Sequence, residues 1–147
     1  MYEYKCKVTR VVDGDTCDVV LDLGFSIEYR DRVRLMAIDT PESRTRNKVE
    51  KKLGLASKAR LKELCTKHKG NLIFRTSKEG KGKFGRILGS LYPFGSEVSL
   101  NEMLIAEGHA RPYYGGSKSE VGEWTKQEDG QWYRWTKDGY VIIQELT

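Results

Sequence analysis

Near its start the chain places an apolar residue at every second position, first at Tyr2, Tyr4, Cys6 and Val8 and then at Cys17, Val19 and Leu21. A helix facing a core repeats its apolar positions every three or four residues, so a period of two marks strands with one buried face. Gly24 turns the chain into a third run, Ser26 to Ile38, where Ile27, Tyr29, Val33, Leu35 and Ala37 stand among alternating charges. That run ends at Thr40-Pro41, because proline does not continue a strand ladder. Three consecutive strands of this kind predict a meander.

From about Leu55 to His68 the pattern becomes helical, with Ala56, Ala59, Leu61, Leu64 and Cys65 expected on one face and lysines on the other, and with Gly70 as the stop. Leu72 to Thr76 and Arg86 to Tyr92 read as two further strands around a glycine- and lysine-rich loop, Ser77 to Gly85. Ser99 followed by Glu102 forms a capping box for a second helix, with Val98 and Met103 placed as its hydrophobic staple and Gly108 as its left-handed end. Beyond Gly115-Gly116 come Trp124, Trp132, Tyr133, Trp135 and Tyr140, punctuated by the hairpin signals Asp129-Gly130 and Asp138-Gly139. The expected architecture is therefore α+β and mainly β: five strands, two or three helices and a C-terminal β appendage of about three short strands. Residues 1–116 are expected to form the main unit, and 117–147 an appendage too apolar for a linker, expected to pack on the main unit of the same chain.

With 147 residues, the chain is long enough to close one core without disulfides or a structural metal. No apolar run approaches the roughly 20 residues of a membrane helix, and Met1 leads directly into the first strand pattern rather than into a basic and then apolar leader. A cytoplasmic protein or a processed secreted form is expected, acting as a monomer and away from membranes. Cys6, Cys17 and Cys65 are odd in number and lack C-x-x-C spacing, so they read as small buried hydrophobes. Only His68 and His109 are available for a histidine metal cluster or nucleophilic triad, so any metal here should be held by oxygen. The formal net charge of +5 gathers at Arg44 to Lys52, Lys58 to Lys69 and Lys78 to Arg86, which favours a polyanionic partner but is also compatible with an ordinary solvated surface.

Asp13-Gly14-Asp15-Thr16, between two predicted strands, would by itself be a plain Asp-Gly turn. Its weight changes beside Arg34-Leu35-Met36-Ala37-Ile38-Asp39-Thr40-Pro41-Glu42, where a strand carries a charge at each end and a second carboxylate follows at once. A third segment, Lys83-Phe84-Gly85-Arg86, leads from a basic loop into another strand. In spacing and in order these three segments resemble the thermonuclease (staphylococcal nuclease-like) family, whose signature is a D-G-D-T turn, an R-x-x-x-x-D-T-P-E strand end and a G-R strand start. The resemblance spans roughly Tyr4 to Tyr114 and extends to Ala56-Ser57 and to Asn101-Glu102.

The resemblance implies a five-stranded OB-fold barrel and a calcium-dependent endonuclease that hydrolyses DNA and RNA to 3′-phosphate ends. Asp15, Asp39 and the main-chain carbonyl of Thr40 would supply hard oxygen ligands for Ca2+. Arg34 and Arg86 would clamp the scissile phosphate through planar, permanently charged forks. Glu42 would hold or deprotonate the attacking water. Lys83, Phe84, Tyr113 and Tyr114 would contact substrate, the tyrosines as stacking platforms.

Three departures from the family pattern stand out. Phe84 replaces a common tyrosine, Gly82 sits where an acid is frequent, and the tail from Lys118 does not resemble the family's terminal helix. The tyrosines are also adjacent instead of separated by one residue. Gly80-Lys81-Gly82-Lys83-Phe84-Gly85 fits G-x-G-x-x-G, but a strand pattern follows it, so it is no dinucleotide-binding turn. A catalytically silent OB-fold module binding nucleic acid or protein is the alternative, and a phosphodiesterase acting on a free dinucleotide is a third.

Overall fold

The computed structural model describes residues 2–69, 71–81, 86–113, 127–128, 131–136 and 139–142. In chain order the elements up to the first helix are β1 (Tyr2–Asp13), β2 (Thr16–Asp22), β3 (Glu28–Leu35), β4 (Ile38–Asp39) and α1 (Lys48–Lys67). They are followed by β5 (Leu72–Lys81), β6 (Ile87–Pro93), α2 (Leu100–Ala106) and β7 (Arg111–Pro112), then β8 (Gln127–Glu128), β9 (Gln131–Thr136) and β10 (Gly139–Ile142).

The expected meander forms: β1 pairs antiparallel with β2, and β2 with β3, down to the register pairs Asp13↔Thr16 and Thr16↔Arg34 at one end. β5 pairs antiparallel with β1 and with β6, and a short parallel stretch, Val33↔Ile87 to Leu35↔Gly89, joins β3 to β6. The result is a closed five-stranded barrel in the order β1-β2-β3-β6-β5, which leaves none of its strands as an open edge. Inward-facing Cys6, Cys17, Val19, Leu21, Val33, Leu35, Leu72, Phe74 and Leu91 fill it, with Leu61, Leu64, Leu100 and Leu104 contributed by the two helices. Gly89 belongs inside this packing, because a Cβ there would stand 2.3 Å from the Phe74 ring.

The run read as one strand over residues 26–38 breaks at Met36-Ala37. Ala37 takes a left-handed φ of 63°, while Met36 N–H donates to the Gly89 carbonyl and the Met36 carbonyl accepts from Asn101 Nδ2. Beyond the turn, β4 leaves the barrel and pairs with β7. Alternating apolar residues on both sides of the turn hide it in the sequence.

The first helix begins seven residues earlier than Leu55, at Lys48, because Asn47 caps it: its side-chain oxygen accepts from the N–H groups of Val49 and Glu50. Its first turns carry lysines and a glutamate, which conceal the helical period. The buried face is Gly54, Ser57, Leu61 and Leu64, whereas Ala56 and Ala59 are exposed and Cys65 is only partly buried. The narrow residues lie inward because the helix sits directly on the loop after β4, and a larger side chain has no room there.

The second helix follows the expected caps. Ser99 Oγ accepts from Glu102 N–H, and Gly108, at a φ of 79°, donates to Ile105 while His109 donates to Leu104, which is a Schellman closure. The staple residue Val98 stays 45% exposed. β5 runs on to Lys81, through residues expected to be loop, and Arg86 lies one residue before β6. The tail does contain the expected three strands, ordered β10-β9-β8 and antiparallel. Its Asp129-Gly130 and its packing lie outside the described residues. Among the described residues no helix is long and apolar enough to cross a membrane.

Candidate active site

The turn between β1 and β2, the strand end of β3 and the β4 segment meet at one end of the barrel. The turn is drawn close by its glycine: a Cβ on Gly14 would lie 2.8 Å from Ser57 Cβ and 3.0 Å from Thr40 Cγ2. Only a residue without a side chain lets the turn, the β4 segment and α1 approach this closely. Asp15 is tied to the barrel wall through its carbonyl, which accepts from Leu35 N–H at 2.7 Å.

Arg34 and Asp15 face each other at 3.3 Å, with both side chains largely buried. Arg34 Nη1 also donates to the carbonyls of Leu35 and Ile38, both at 3.2 Å, so the guanidinium is wrapped by the turn that contains the left-handed Ala37. The Arg34 guanidinium carbon also lies over the Tyr113 ring, 5.7 Å from its centroid, and Tyr113 N–H donates to the Ala37 carbonyl. The register puts Leu88 beside Arg34. Arg86 lies two residues before Leu88, immediately ahead of β6.

Asp39 is 2% exposed and is gripped on one carboxylate oxygen, Oδ2, by Nε and Nη2 of Arg111 at 3.1 and 3.0 Å. The two residues are cross-strand partners in the β4–β7 ladder. Thr40 is buried beside Asp39. The next residues are held from below: Glu42 N–H donates to Glu50 of α1 at 2.9 Å, and Ser43 Oγ donates to Asp13, whose carboxylate also meets Arg44 at 3.6 Å. The Glu42 side chain is exposed.

Burial pushes the Asp15 carboxyl above its ordinary range; Arg34 and the Thr16 hydroxyl pull it back, and Asp39 and Asp13 push it up further. A buried carboxylate that feels two others is a place where a divalent cation would replace a proton, and the donors are all oxygens, as a hard cation requires. Asp15, Asp39 and the Thr40 carbonyl are the oxygens that could hold such an ion. Among the described residues no cluster of three or more His, Cys, Asp or Glu side chains is arranged for a metal, so main-chain oxygen, water and substrate would complete this one.

Of the residues expected at the site, the structure brings together Asp15, Arg34, Asp39, Thr40 and Tyr113, with Glu42 on the adjoining segment and Arg86 just before β6. Lys83, Phe84 and Tyr114 lie outside the described residues. Sequence reading missed Arg111 as a partner of Asp39 and Ser43 as a partner of Asp13. The contact with Arg111 spans 72 positions of chain and leaves no local signal.

A sequence model of the family described as staphylococcal nuclease homologue matches residues 32–129, which carries the match past Gly115-Gly116. Over 138 residues the chain is 33% identical to the SPbeta prophage-derived endonuclease YokF of Bacillus subtilis, covering 90% of this chain and 44% of that protein. To Endonuclease YncB of the same bacterium it is 34% identical over 105 residues, 71% of this chain and 46% of that protein. To the micrococcal nuclease of Shigella flexneri it is 30% identical over 145 residues, 92% of this chain and 69% of that protein. The chain thus spans a little under half the length of the first two relatives.

Proposed function

Since the chain belongs to the family of staphylococcal nuclease homologues, we propose that it is a calcium-dependent endonuclease, active as a monomer, that hydrolyses phosphodiester bonds of DNA and RNA and leaves 3′-phosphate ends. The observation that carries this reading is the buried pairing of Arg34 with Asp15 beside the buried carboxylate of Asp39, since a protein that only binds polyanions has no use for acids beneath its arginine. The names of the relatives, two endonucleases and a micrococcal nuclease, point the same way.

Asp15, Asp39 and the Thr40 carbonyl would hold the calcium ion, which would supply positive charge against the phosphate oxygens. Arg34, fixed by the carbonyls of Leu35 and Ile38, presents its fork without having to be ordered on binding. Together with Arg86 it stabilises the additional negative charge that develops as phosphorus becomes five-coordinate. Glu42, itself exposed but on a segment held by Glu50 and, through Ser43, by Asp13, orients or deprotonates the attacking water. The new bond joins the water oxygen to phosphorus and the bond to the 5′ oxygen breaks in line with it, giving a 3′-phosphate and a 5′-hydroxyl. Tyr113, with Tyr114, Lys83 and Phe84, would flank the bound nucleotides.

The test is digestion of single-stranded DNA, duplex DNA and RNA in calcium, followed by end-group analysis. Internal cleavage of all three with 3′-phosphate ends supports the proposal. Binding without cleavage would favour a silent OB-fold module instead.

A further inference from the structure

Resting on the reading of Asp39 as a metal ligand, we infer that Arg111 is a positioning residue that fixes the Asp39 carboxylate for the cation. Arg111 is itself buried, with its side chain 5% exposed against 3% for Asp39, and its described contacts with Asp39, an Nε–H hydrogen bond and an Nη2 ion pair, fall on the same oxygen, Oδ2. Holding Oδ2 in place restrains the turn of the carboxylate about its Cβ–Cγ bond, and so sets where Oδ1 points.

The fold holds Arg111 firmly enough for this. The Schellman end of α2 aims the chain, the His109 carbonyl accepts from Ser57 Oγ of α1 at 2.7 Å, and Tyr113 N–H closes on Ala37 at 3.0 Å. Residues 109–113 are therefore clamped on both sides of Arg111. The same short segment supports both halves of the site, because Arg111 grips the candidate ligand Asp39 while Tyr113 lies beside the candidate phosphate clamp Arg34. A two-residue ladder outside the barrel, β4 with β7, has this cross-strand pair as one of its two rungs.

Charge alone predicts the opposite effect on cation affinity, since a nearby guanidinium repels a divalent ion. Two substitutions separate the roles. Arg111→Lys keeps the charge and loses the fork; Arg111→Gln loses the charge and keeps a shorter amide donor.

Calcium affinity of the full chain is measured by isothermal titration calorimetry for the wild type and both variants, with thermal melting and circular dichroism on the same samples. A positioning role predicts that both variants keep the native spectrum, bind calcium roughly 10- to 100-fold more weakly, and recover most of their cleavage rate at saturating calcium. Unchanged affinity in Arg111→Lys with tighter binding in Arg111→Gln would show that only charge matters and overturn the inference. So would loss of the folded state in both variants, which would make the pair a folding element. Absence of calcium binding by the wild type would instead refute the metal reading of Asp39 itself.

Discussion

Gly54 of α1 and Glu42 are pressed so closely together that a Cβ on Gly54 would lie 2.5 Å from the Glu42 carbonyl carbon and oxygen. Helix α1 is thus the floor of the loop that carries the proposed water-binding carboxylate. Elsewhere, replacing a mid-helix glycine by alanine raises helix stability by about 1 kcal/mol. Here the methyl group meets main chain, which cannot swing away. Gly54→Ala is therefore expected to lower both the melting temperature and the cleavage rate, as read by thermal denaturation and initial rates on DNA. A variant that melts higher with full activity would show that the loop yields without consequence.

Arg34 is held by two carbonyls and a carboxylate, so its role depends on the shape of the guanidinium as well as its charge. Arg34→Lys, and likewise Arg86→Lys, is expected to lower turnover by about two orders of magnitude or more while preserving the native spectrum. Near-normal rates in both variants would reassign phosphate binding to the lysines between residues 78 and 83.

Burial pushes the thiols of Cys6 and Cys65 up to about 12, and Cys17 well above its ordinary value. The unfolded chain releases these protons near pH 9 while the folded chain retains them, so the native state holds more protons between the two values. Stability from this source is fully present below pH 9 and is lost as the pH rises toward about 12. Denaturant melts at pH 8 and pH 10.5 should show a lower midpoint at the higher pH, and a thiol reagent at pH 8 should react slowly with native protein and rapidly once it unfolds. Fast modification of all three thiols in the native state would contradict their placement.

The barrel strands were legible from sequence because they alternate, and their closure from the family resemblance: Cys17, Val19 and Leu21 point inward as their spacing requires, and Gly24 turns the chain where expected, at a φ of 84°. The candidate site was legible because Asp15, Arg34, Asp39 and Glu42 lie in short segments whose order matches a family pattern. What failed was of another kind. The turn at Ala37 and the buried face of α1 are decided by tertiary contacts, Asn101 and Gly89 against Met36 and the β4 loop against Gly54, which override local periodicity. The Arg111–Asp39 pair joins two strand fragments of two residues each, too short to show any period.

Asp15 and Asp39 are proposed to serve one hard cation during phosphodiester cleavage. The most direct test is the initial rate on single-stranded DNA for the wild type and for Asp15→Asn and Asp39→Asn, measured across a calcium titration and in excess chelator. Chelator is expected to abolish wild-type cleavage and added calcium to restore it, while each asparagine variant needs far more calcium or stays inactive throughout. Wild-type cleavage that continues at the same rate in excess chelator would contradict that role.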